Sequence, residues 1–383
     1  MRLSLHGGFG EKGRTCIGLE SGGMRLLLDA GIKTSARDTP DYYPALSPEE
    51  LAATDAIIIT HGHEDHVAAL GWCLAHGFAG DVYITPEARR DTYLSLADYA
   101  TAHEAQLARQ ARFETLPVDG AGLRLGPLTI TTGRSGHIGG GVWCQLVDRN
   151  VRFTYCGDVV AESPVFAMDP LPASDVVALD ASYGDDDVSP GERAQQIATW
   201  VRAHAQGCVL PTPLYGRSAE LLAIVPGALA LAPGMRAALE DQIRGVAWLT
   251  PGMAGQLAQR LATAGDWSLD APLPRAALLC HDGMGLSGPA RVALEGARDD
   301  AHPVLFTGHV PEGSPGAHLL AQQRADWIRL PTHPRLSENV AIARATGASL
   351  LIGHSCELPT LQRLGRHLPA LRSDVVTGDV LEV

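Results

Sequence analysis

The sequence predicts an α/β protein made of two parts, and three observations support this prediction. A chain of 383 residues is too long for one simple core, which indicates two domains or one domain with a large insertion. Short strands separated by glycines fill the beginning of the chain. From about Tyr183 to Leu305 helices and strands alternate instead, and short strands and helices return after Leu305.

The first part is predicted to be rich in strands. Single strands are expected there at residues 2–6, 15–20, 25–29, 56–60, 81–85 and 175–180, and two pairs of strands around residues 123–132 and 142–156. A helix is predicted at 67–76. The stretch 87–112 is rich in alanine and contains no glycine or proline, so it predicts one long helix.

The later part is predicted to alternate between the two element types. Its helices are expected at 190–205, 217–230 and 337–346, and its strands at 208–211, 276–280, 303–306, 327–330 and 349–352. The chain has no repeat at a fixed period and no low-complexity tract.

Composition narrows the class of partner. The formal net charge is −13, which argues against a broad basic surface for nucleic acid, although bound metals can supply local positive charge. The seven cysteines are scattered without a C-x-x-C pair, as in reduced cytosolic proteins. No signal peptide and no run of about 18 apolar residues is found, so we expect a cytoplasmic chain without a membrane partner.

The densest chemical signal is the hexapeptide His-Gly-His-Glu-Asp-His at residues 61–66, directly after an apolar strand. Imidazoles together with a carboxylate are the ligands of Zn²⁺ or Mn²⁺. His61 and His63 point the same way from an extended segment. Asp65 and His66 follow at the turn into a helix and can face a second metal. A solvated, histidine-rich turn is the weaker interpretation.

Three further residues are ligand candidates, and two of them, Asp158 and His354, each follow a predicted apolar strand by two residues. They are His137 in a glycine-rich loop, Asp158 after a strand, and His354 after a buried strand. Taken singly, His137 is better explained as a loop histidine in solvent, and Asp158 is explained equally well as a helix N-cap or a turn residue. Their shared placement is typical of an active site at strand ends.

The order of these residues resembles the metallo-β-lactamase superfamily. Later segments are similar to motifs of its β-CASP nucleases, and they lie at residues 179–184, 213–222, 283–289, 307–316 and 330–335. Residues 7–14 and 61–66 are also similar to ribonuclease J. The resemblance implies an αββα metallo-β-lactamase sandwich formed by residues 1–183 and 306–383. An inserted αβ β-CASP domain would occupy residues 184–305.

The resemblance also implies roles for the site residues. One metal ion, Zn or Mn, would be held by His61, His63 and His137, the other by Asp65, His66 and His354, with Asp158 bridging. The two ions would activate a bridging hydroxide that attacks phosphorus. Asp65, Asp180 and His333 are the expected catalytic residues: His333 as general acid and Asp180 as its orienting partner. A structural hydrogen bond is the alternative role for His333.

Substrate contacts are expected from residues in or next to the insertion. They are Arg217, Ser218, Gly283, Ser287, Gly288 and His309. Backbone N–H groups of a glycine-rich loop can receive phosphate oxygens. Helix capping and turn chemistry are equally good explanations for the arginine, the serines and the glycines. Asp180 stands where the family usually has glutamate, and His309 stands where tyrosine is common.

The function implied is a metal-dependent phosphodiesterase acting on single-stranded RNA, with single-stranded DNA as the second polymer. In this family a histidine at the position of His354 accompanies RNA substrates. A homodimer is the candidate assembly. The alternatives are a small-molecule hydrolase of the lactonase or thioesterase type, and an inert β-CASP scaffold that binds RNA. The sequence does not distinguish exonuclease from endonuclease activity.

Overall fold

The computed structural model describes residues 1–118, 120, 122–299, 302–310 and 313–383. The chain forms two compact units. The first unit comprises Met1–Ala161, Met168–Asp187 and His333–Val383. The second comprises Glu162–Ala167 and Val188–Thr332. No helix in these described ranges is long and apolar enough to cross a membrane.

The strands are numbered in chain order. They are β1 (Arg2–Gly7), β2 (Cys16–Ser21), β3 (Met24–Leu28), β4 (Ala56–Ile58), β5 (Asp81–Ile84), β6 (Arg112–Thr115), β7 (Leu123–Leu125), β8 (Leu128–Arg134), β9 (Val142–Val147), β10 (Arg152–Tyr155), β11 (Val176–Asp180), β12 (Cys208–Pro211), β13 (Leu229–Leu231), β14 (Gly265–Asp266), β15 (Ala277–Cys280), β16 (Leu305–Phe306), β17 (Asp326–Trp327), β18 (Leu350–His354), β19 (Leu371–Arg372) and β20 (Val380–Glu382).

The α-helices are numbered in the same way. They are α1 (Pro48–Ala52), α2 (Glu64–Val67), α3 (Leu70–Ala75), α4 (Pro86–Tyr99), α5 (Ala102–Arg109), α6 (Pro190–Ala203), α7 (Arg217–Ile224), α8 (Met235–Arg244), α9 (Met253–Thr263), α10 (Gly288–Asp299), α11 (Pro315–Ala321), α12 (Leu336–Thr346) and α13 (Leu358–Gly365). Short 3₁₀ helices occur at Thr34–Ala36, Pro40–Tyr42 and Val246–Trp248.

The first unit contains two seven-stranded sheets among its described residues. The first sheet has the order β20-β1-β2-β3-β4-β5-β6, and the second has the order β19-β18-β11-β10-β9-β8-β7. Hydrogen bonds connect the two sheets: Val142 N donates to the Thr60 carbonyl at 3.1 Å, and the Ser21 hydroxyl donates to Asp148 at 2.7 Å. Helices α3, α4 and α5 cover the first sheet through a buried apolar cluster that includes Ile57, Leu70 and Leu96.

The second sheet brings together residues that are distant in sequence. Strands β11 and β18 are parallel neighbours although the whole of Val188–Thr332 lies between them. Their last residues, Asp180 and His354, are register partners. Because parallel strands end at the same edge of a sheet, both side chains are presented at one carboxyl edge.

The prediction of one long helix at 87–112 is wrong. The chain forms α4 and α5 instead, and Arg112–Thr115 is strand β6. Ala100 is extended (φ −86°, ψ 155°), and Thr101 then caps α5 in a capping box with Glu104. The Thr-x-x-Glu pattern was the available signal, and it outweighs high alanine content because it satisfies orphan N–H groups.

The helix expected at 217–230 is also too long. Helix α7 ends at Ile224, and Leu229–Leu231 is strand β13. The next residue, Val225, is extended (φ −69°, ψ 119°) because the residue before Pro226 is disfavoured in the helical region.

The second unit is built on a four-stranded parallel sheet with the order β12-β15-β13-β14. Strands β16 and β17 form a separate parallel pair. The side chains of Leu210, Leu278 and Leu279 are fully buried in its apolar core. This unit therefore has an apolar core of its own, and truncating one of these leucines to alanine would cost about 2–5 kcal/mol of stability.

A carboxyl group is buried inside the second unit. Glu220 on α7 is 1% exposed and accepts a hydrogen bond from the Ser163 hydroxyl at 2.8 Å. Its other oxygen, Oε2, has no hydrogen-bond partner among the described residues. Burial raises the pKa of Glu220 to about 7, against the opposing effects of Ser163 and Arg217.

We expect Glu220→Gln to change how stability depends on pH. The folded-state pKa lies above that of the unfolded chain, so the wild-type protein loses stability as pH rises from about 4.5 through 7. The free energy of unfolding of the variant should therefore rise relative to that of the wild type across this window. Above pH 7 the difference between the two proteins should stay constant. Urea unfolding curves at pH 5, 6, 7 and 8 measure this, and parallel pH profiles for the two proteins would contradict it.

Gly31 lies where the chain leaves β3 and passes the backbone of the 61–66 segment. A Cβ atom at Gly31 would collide with the carbonyl of Asp65. Ile32 N then donates to the Glu64 carbonyl at 3.1 Å. Only glycine permits this approach without moving the metal-ligand candidates.

We expect Gly31→Ala to destabilise the protein by about 1–3 kcal/mol, because the added methyl group must displace backbone atoms. Thermal unfolding followed by circular dichroism measures the effect. Gly255→Ala is the matched control: this residue lies in α9 with open space around it. The control should be neutral or stabilising by up to about 1 kcal/mol. An equally stable Gly31→Ala protein would refute the close-approach argument.

Candidate metal centre

The ligand candidates lie where strands of both sheets end. His61 and His63 follow β4, and His63 is the N-cap residue directly before α2. His137 lies in the loop between β8 and β9, and Asp158 follows β10. Each residue is within a few positions of a strand end, so rigid elements fix their backbones.

Four of the predicted ligands converge tightly. Nε2 of His61 lies 3.1 Å from Nδ1 of His63, which in turn lies 3.0 Å from Nε2 of His137. The candidate ligand atoms of His61, His63, His137 and Asp158 all lie within 4.8 Å of one another. Three imidazole nitrogens and one carboxylate oxygen at this spacing can hold one divalent cation.

Asp158 presents its two oxygens to different histidines. Oδ2 lies 3.6 Å from Nε2 of His61 and 3.6 Å from Nε2 of His137. Oδ1 lies 3.2 Å from Nε2 of His66. A carboxylate arranged in this way can contact two cations, one through each oxygen.

The remaining predicted ligands are spread more widely. Nε2 of His66 lies 3.9 Å from Oδ2 of Asp65, and the rings of His66 and His354 are 6.4 Å apart. The other tight group in the described part of the chain consists of Asp158, Asp180 and His333. Asp158 therefore belongs to both tight groups.

Asp29, which the sequence reasoning did not select, holds this site together. It is fully buried and accepts hydrogen bonds from Thr60 N (2.7 Å), the Thr60 hydroxyl (2.8 Å), His66 Nδ1 (2.7 Å) and the Tyr155 hydroxyl (2.6 Å). In the sequence it was only the last residue of a predicted strand. A non-glycine residue at φ +61° directly after a buried strand is a backbone feature that the sequence does not display.

These bonds determine which ring nitrogens face the cluster. The Thr60 hydroxyl donates to Asp29, so it accepts from Nδ1 of His61 at 3.1 Å. When its ring is neutral, His61 is then left with a lone pair on Nε2, and the same holds for neutral His66, whose Nδ1 donates to Asp29. Ser355 contacts Nδ1 of His354 at 2.9 Å in a similar way. Partners of this kind fix the tautomer of metal-binding histidines.

Three buried ligand atoms make no well-aligned hydrogen bond among the described residues, although two of them, Nε2 of His66 and Oδ1 of Asp158, are 3.2 Å apart. They are Nε2 of His66, Oδ1 of Asp158 and Nε2 of His354. The side chains of His66 and His354 are fully buried, and Asp158 is 2% exposed. Leaving such atoms without a partner costs about 1–3 kcal/mol each. A pair of bound divalent cations would satisfy all three atoms, so the residues present fit such a group.

Asp180 and His333 form a hydrogen-bonded pair beside the cluster. Nδ1 of His333 donates to Oδ2 of Asp180 at 2.8 Å. Oδ1 of Asp180 accepts from the backbone N–H and the hydroxyl of Ser182, at 3.1 and 2.6 Å. The side chain of His333 is 15% exposed, whereas that of Asp180 is fully buried. The carboxylate is therefore fixed, and the imidazole reaches solvent.

Burial and neighbouring charges shift the pKa values of the clustered residues in different directions. Burial alone would raise the pKa of Asp158, but His66 and His333 hold that pKa well below its ordinary value. Burial and the neighbouring His66 lower the pKa of His61, which favours its neutral, metal-binding form. Burial opposes charge on His333, yet Asp180 and Asp158 raise its pKa above the ordinary value.

Among the predicted substrate contacts, the two on α7 lie in different environments. Arg217 is half-buried, and its Nη2 donates to the Thr332 hydroxyl at 3.1 Å. Ser218 is fully buried; its hydroxyl donates to the Leu214 carbonyl at 2.6 Å and accepts from Gln242 at 3.3 Å. The hydroxyl of Ser218 is thus already engaged within its own unit.

The glycine-rich loop from Gly283 to Gly288 is organised around Asp282. The carboxylate of Asp282 accepts from the N–H groups of Met284 (2.6 Å), Leu286 (3.3 Å) and Ser287 (2.8 Å), and from the Ser287 hydroxyl (2.8 Å). Several loop amides therefore already bind an anion, which is the chain's own carboxylate. His309 follows β16 and is exposed.

Comparison with known proteins places the chain in a family. The metallo-beta-lactamase superfamily domain matches residues 10–205, which is half of the sequence. The chain belongs to the metallo-β-lactamase superfamily. The membership predicted from residues 61–66 is confirmed, together with the β-CASP resemblance and the α/β fold class.

Two relatives illustrate the range of similarity. A transcription termination factor, FttA, of Methanothermobacter thermautotrophicus is 29% identical over 248 residues, covering 58% of this chain and 39% of the relative. An RNase J-like protein of Methanocaldococcus jannaschii is 24% identical over 349 residues, covering 83% of this chain and 80% of the relative. The alignments with the termination factors of Methanothermobacter thermautotrophicus and Methanococcus maripaludis each cover about two fifths of the relative's length.

A crystal structure of a protein of unknown function from Enterococcus faecalis V583 has the same fold. It superposes with a TM-score of 0.66 at 13% sequence identity, and the alignment covers 99% of both chains. At this identity the likeness supports the fold alone. The superfamily fold and the His/Asp cluster together support the use of a divalent metal ion.

We expect Asp29→Asn to weaken Zn²⁺ binding by about 10- to 100-fold, because an amide orients His66 less firmly than a carboxylate does. Competition with a chromophoric chelator measures the affinity. Tyr155→Phe is the matched control: it removes one hydrogen bond to the same carboxylate and leaves the bond to His66. Unchanged affinity in Asp29→Asn, or an equal loss in the control, would contradict this role.

Proposed function

We propose that this chain is a nuclease that hydrolyses phosphodiester bonds of single-stranded RNA with two divalent ions, zinc or manganese. Single-stranded DNA is the second candidate polymer. We assign His61, His63 and His137 to one ion, Asp65, His66 and His354 to the other, and Asp158 to both. A homodimer and a cytoplasmic location complete the proposal; all seven cysteines are free and buried, in keeping with a reducing compartment.

The observation that carries the proposal is the position of Asp158. One of its oxygens faces His61 and His137, and the other faces His66. Together with the partnerless nitrogens of His66 and His354, this arrangement has the donor set of a two-ion site. The pair of Asp180 and His333 lies at the same carboxylate, with Nδ1 of His333 3.6 Å from Oδ2 of Asp158.

The names of the relatives support a nucleic acid substrate. One is an RNase J-like protein and another is a transcription termination factor. RNA as the polymer is inferred from these names and from the histidine at position 354. The −13 net charge limits long-range attraction of RNA, so positive charge has to be concentrated at the site.

When bound, two divalent cations lower the pKa of an attacking water and neutralise phosphoryl oxygens. The protein's own contribution is to fix the ligands and to handle the proton. Asp29 and Thr60 hold His66 and His61 in the tautomers that face the cluster. Burial of these residues keeps bulk water away from their ligand atoms.

His333 is assigned as the general acid. Its Nδ1 is fixed on Asp180, so Nε2 is the atom that gives a proton to the departing oxygen as the phosphorus–oxygen bond breaks. Asp180 and Asp158 favour the imidazolium form by raising the pKa of His333. A positioned acid of this kind contributes about 10²- to 10⁴-fold to the rate.

Phosphate contact is assigned to Arg217, to the loop of Gly283, Ser287 and Gly288, and to His309, with Ser218 supporting the first turn of α7. Arg217 is the strongest of these candidates because a guanidinium binds phosphate oxygens well. In the loop, Asp282 must give up amide hydrogen bonds before a phosphate can take its place.

We expect metal-loaded protein to cleave end-labelled single-stranded RNA and to lose this activity with chelator. Asp65→Ala combined with His66→Ala should lose both metal and activity. His333→Ala should retain metal, measured by plasma mass spectrometry, and lose about 10²- to 10⁴-fold in kcat. His103→Ala removes an exposed histidine and is the matched control that should cleave normally.

Absence of metal-dependent cleavage of both RNA and DNA would overturn the nuclease assignment. Hydrolysis of a lactone or thioester without cleavage of either polymer would establish the small-molecule alternative, and RNA binding without any hydrolysis would establish the scaffold alternative. A wild-type rate in His333→Ala would refute the assignment of the acid and leave the metal site standing.

A further inference from the structure

One tryptophan of the second unit is exposed. Trp327, at the end of β17, is 42% exposed. Trp143, Trp248 and Trp267 are buried, and Trp72 and Trp200 are half-buried. Covering a large aromatic side chain is energetically favourable. Because the other tryptophans are buried or half-buried, the exposed Trp327 suggests a surface for a ligand.

The indole ring of Trp327 is held in place although it is exposed. Its Nε1 donates to the Gly308 carbonyl at 2.8 Å, and its backbone pairs with Phe306 in the parallel β16–β17 pair. The guanidinium carbon of Arg329 lies over the ring, 5.2 Å from its centroid. A ring fixed on two sides loses little further freedom when a ligand covers its open surface.

A second cation lies against the same glycine. The guanidinium of Arg217 packs so closely on Gly308 that a Cβ atom there would collide with Nη1. Gly308 therefore has the indole N–H of Trp327 at its carbonyl and the guanidinium of Arg217 at its α-carbon. An aromatic face and two arginines, Arg217 and Arg329, are thus gathered around one residue of the second unit.

We infer that Trp327 stacks on an unpaired nucleobase of the RNA, and that Arg217 binds an adjacent phosphate. The inference rests on the proposed function and adds that the protein recognises an unpaired base of the substrate. Every base has a π-face, so stacking tolerates any sequence but requires the base to be unpaired. The surface defined by Trp327, Arg329, Gly308 and Arg217 selects single strands over duplexes.

The test measures binding of fluorescein-labelled oligoadenylate RNA and of an abasic oligomer with the same number of phosphates. Metal-loaded protein carrying His333→Ala serves as the background, so that cleavage is slow. Trp327→Ala should weaken oligoadenylate binding by roughly 5- to 150-fold, and Trp327→Phe by less. Binding of the abasic oligomer should not change. Leu269→Ala, an exposed apolar residue of the same unit (47% exposed), is the matched control.

Two further readouts keep the test decisive. RNA should quench tryptophan fluorescence in the parent protein and not in Trp327→Phe. In steady-state cleavage by protein with His333 intact, Trp327→Ala should raise KM and leave kcat nearly unchanged. Thermal unfolding of Trp327→Phe establishes that the unit is folded.

Equal losses for oligoadenylate and the abasic oligomer would overturn the inference, because they would indicate a packing role. Wild-type binding and KM in Trp327→Ala would also overturn it, and RNA cleavage by the parent protein would then leave the proposed function intact. A parent protein that neither binds nor cleaves RNA would refute both proposals.

Discussion

The candidate metal centre depends on one buried carboxylate, that of Asp29. It accepts four hydrogen bonds, from two groups of Thr60 and from His66 and Tyr155. Thr60 and His66 belong to the segment after β4 in the first sheet, and Tyr155 ends β10 in the second. One anion therefore ties both sheets together and aims the imidazole of His66. Removing such a partner would leave several buried donors unsatisfied, each at about 1–3 kcal/mol.

The site arises because strand ends from the two sheets meet. His61 comes from the first sheet, whereas His137, Asp158 and His354 come from the second. Asp158 links the two groups of ligand atoms through its separate oxygens. Hydrogen bonds among the described residues do not satisfy these ligand atoms of the cluster. Its geometry is that of a receptor for cations, built at the expense of local stability.

Four ligand candidates selected from the sequence, His61, His63, His137 and Asp158, lie close together in the structure. The spacing in residues 61–66 and the strand-end placement of Asp158 and His354 are visible without coordinates. The sequence does not predict the role of Asp29, because this role depends on hydrogen-bond partners up to 126 positions away. The break between α4 and α5 contains no glycine or proline, and it is marked only by Thr101, which caps the start of α5. The exposure of Trp327 depends on tertiary packing, which no local pattern reports.

The central claim is that this cluster binds two divalent cations. Anomalous X-ray scattering from crystals of zinc- or manganese-loaded protein tests it most directly. The account predicts two peaks about 3.5–4 Å apart, one among His61, His63 and His137 and one beside His66, with Asp158 touching both. A single peak, or metal bound away from these residues, would contradict it.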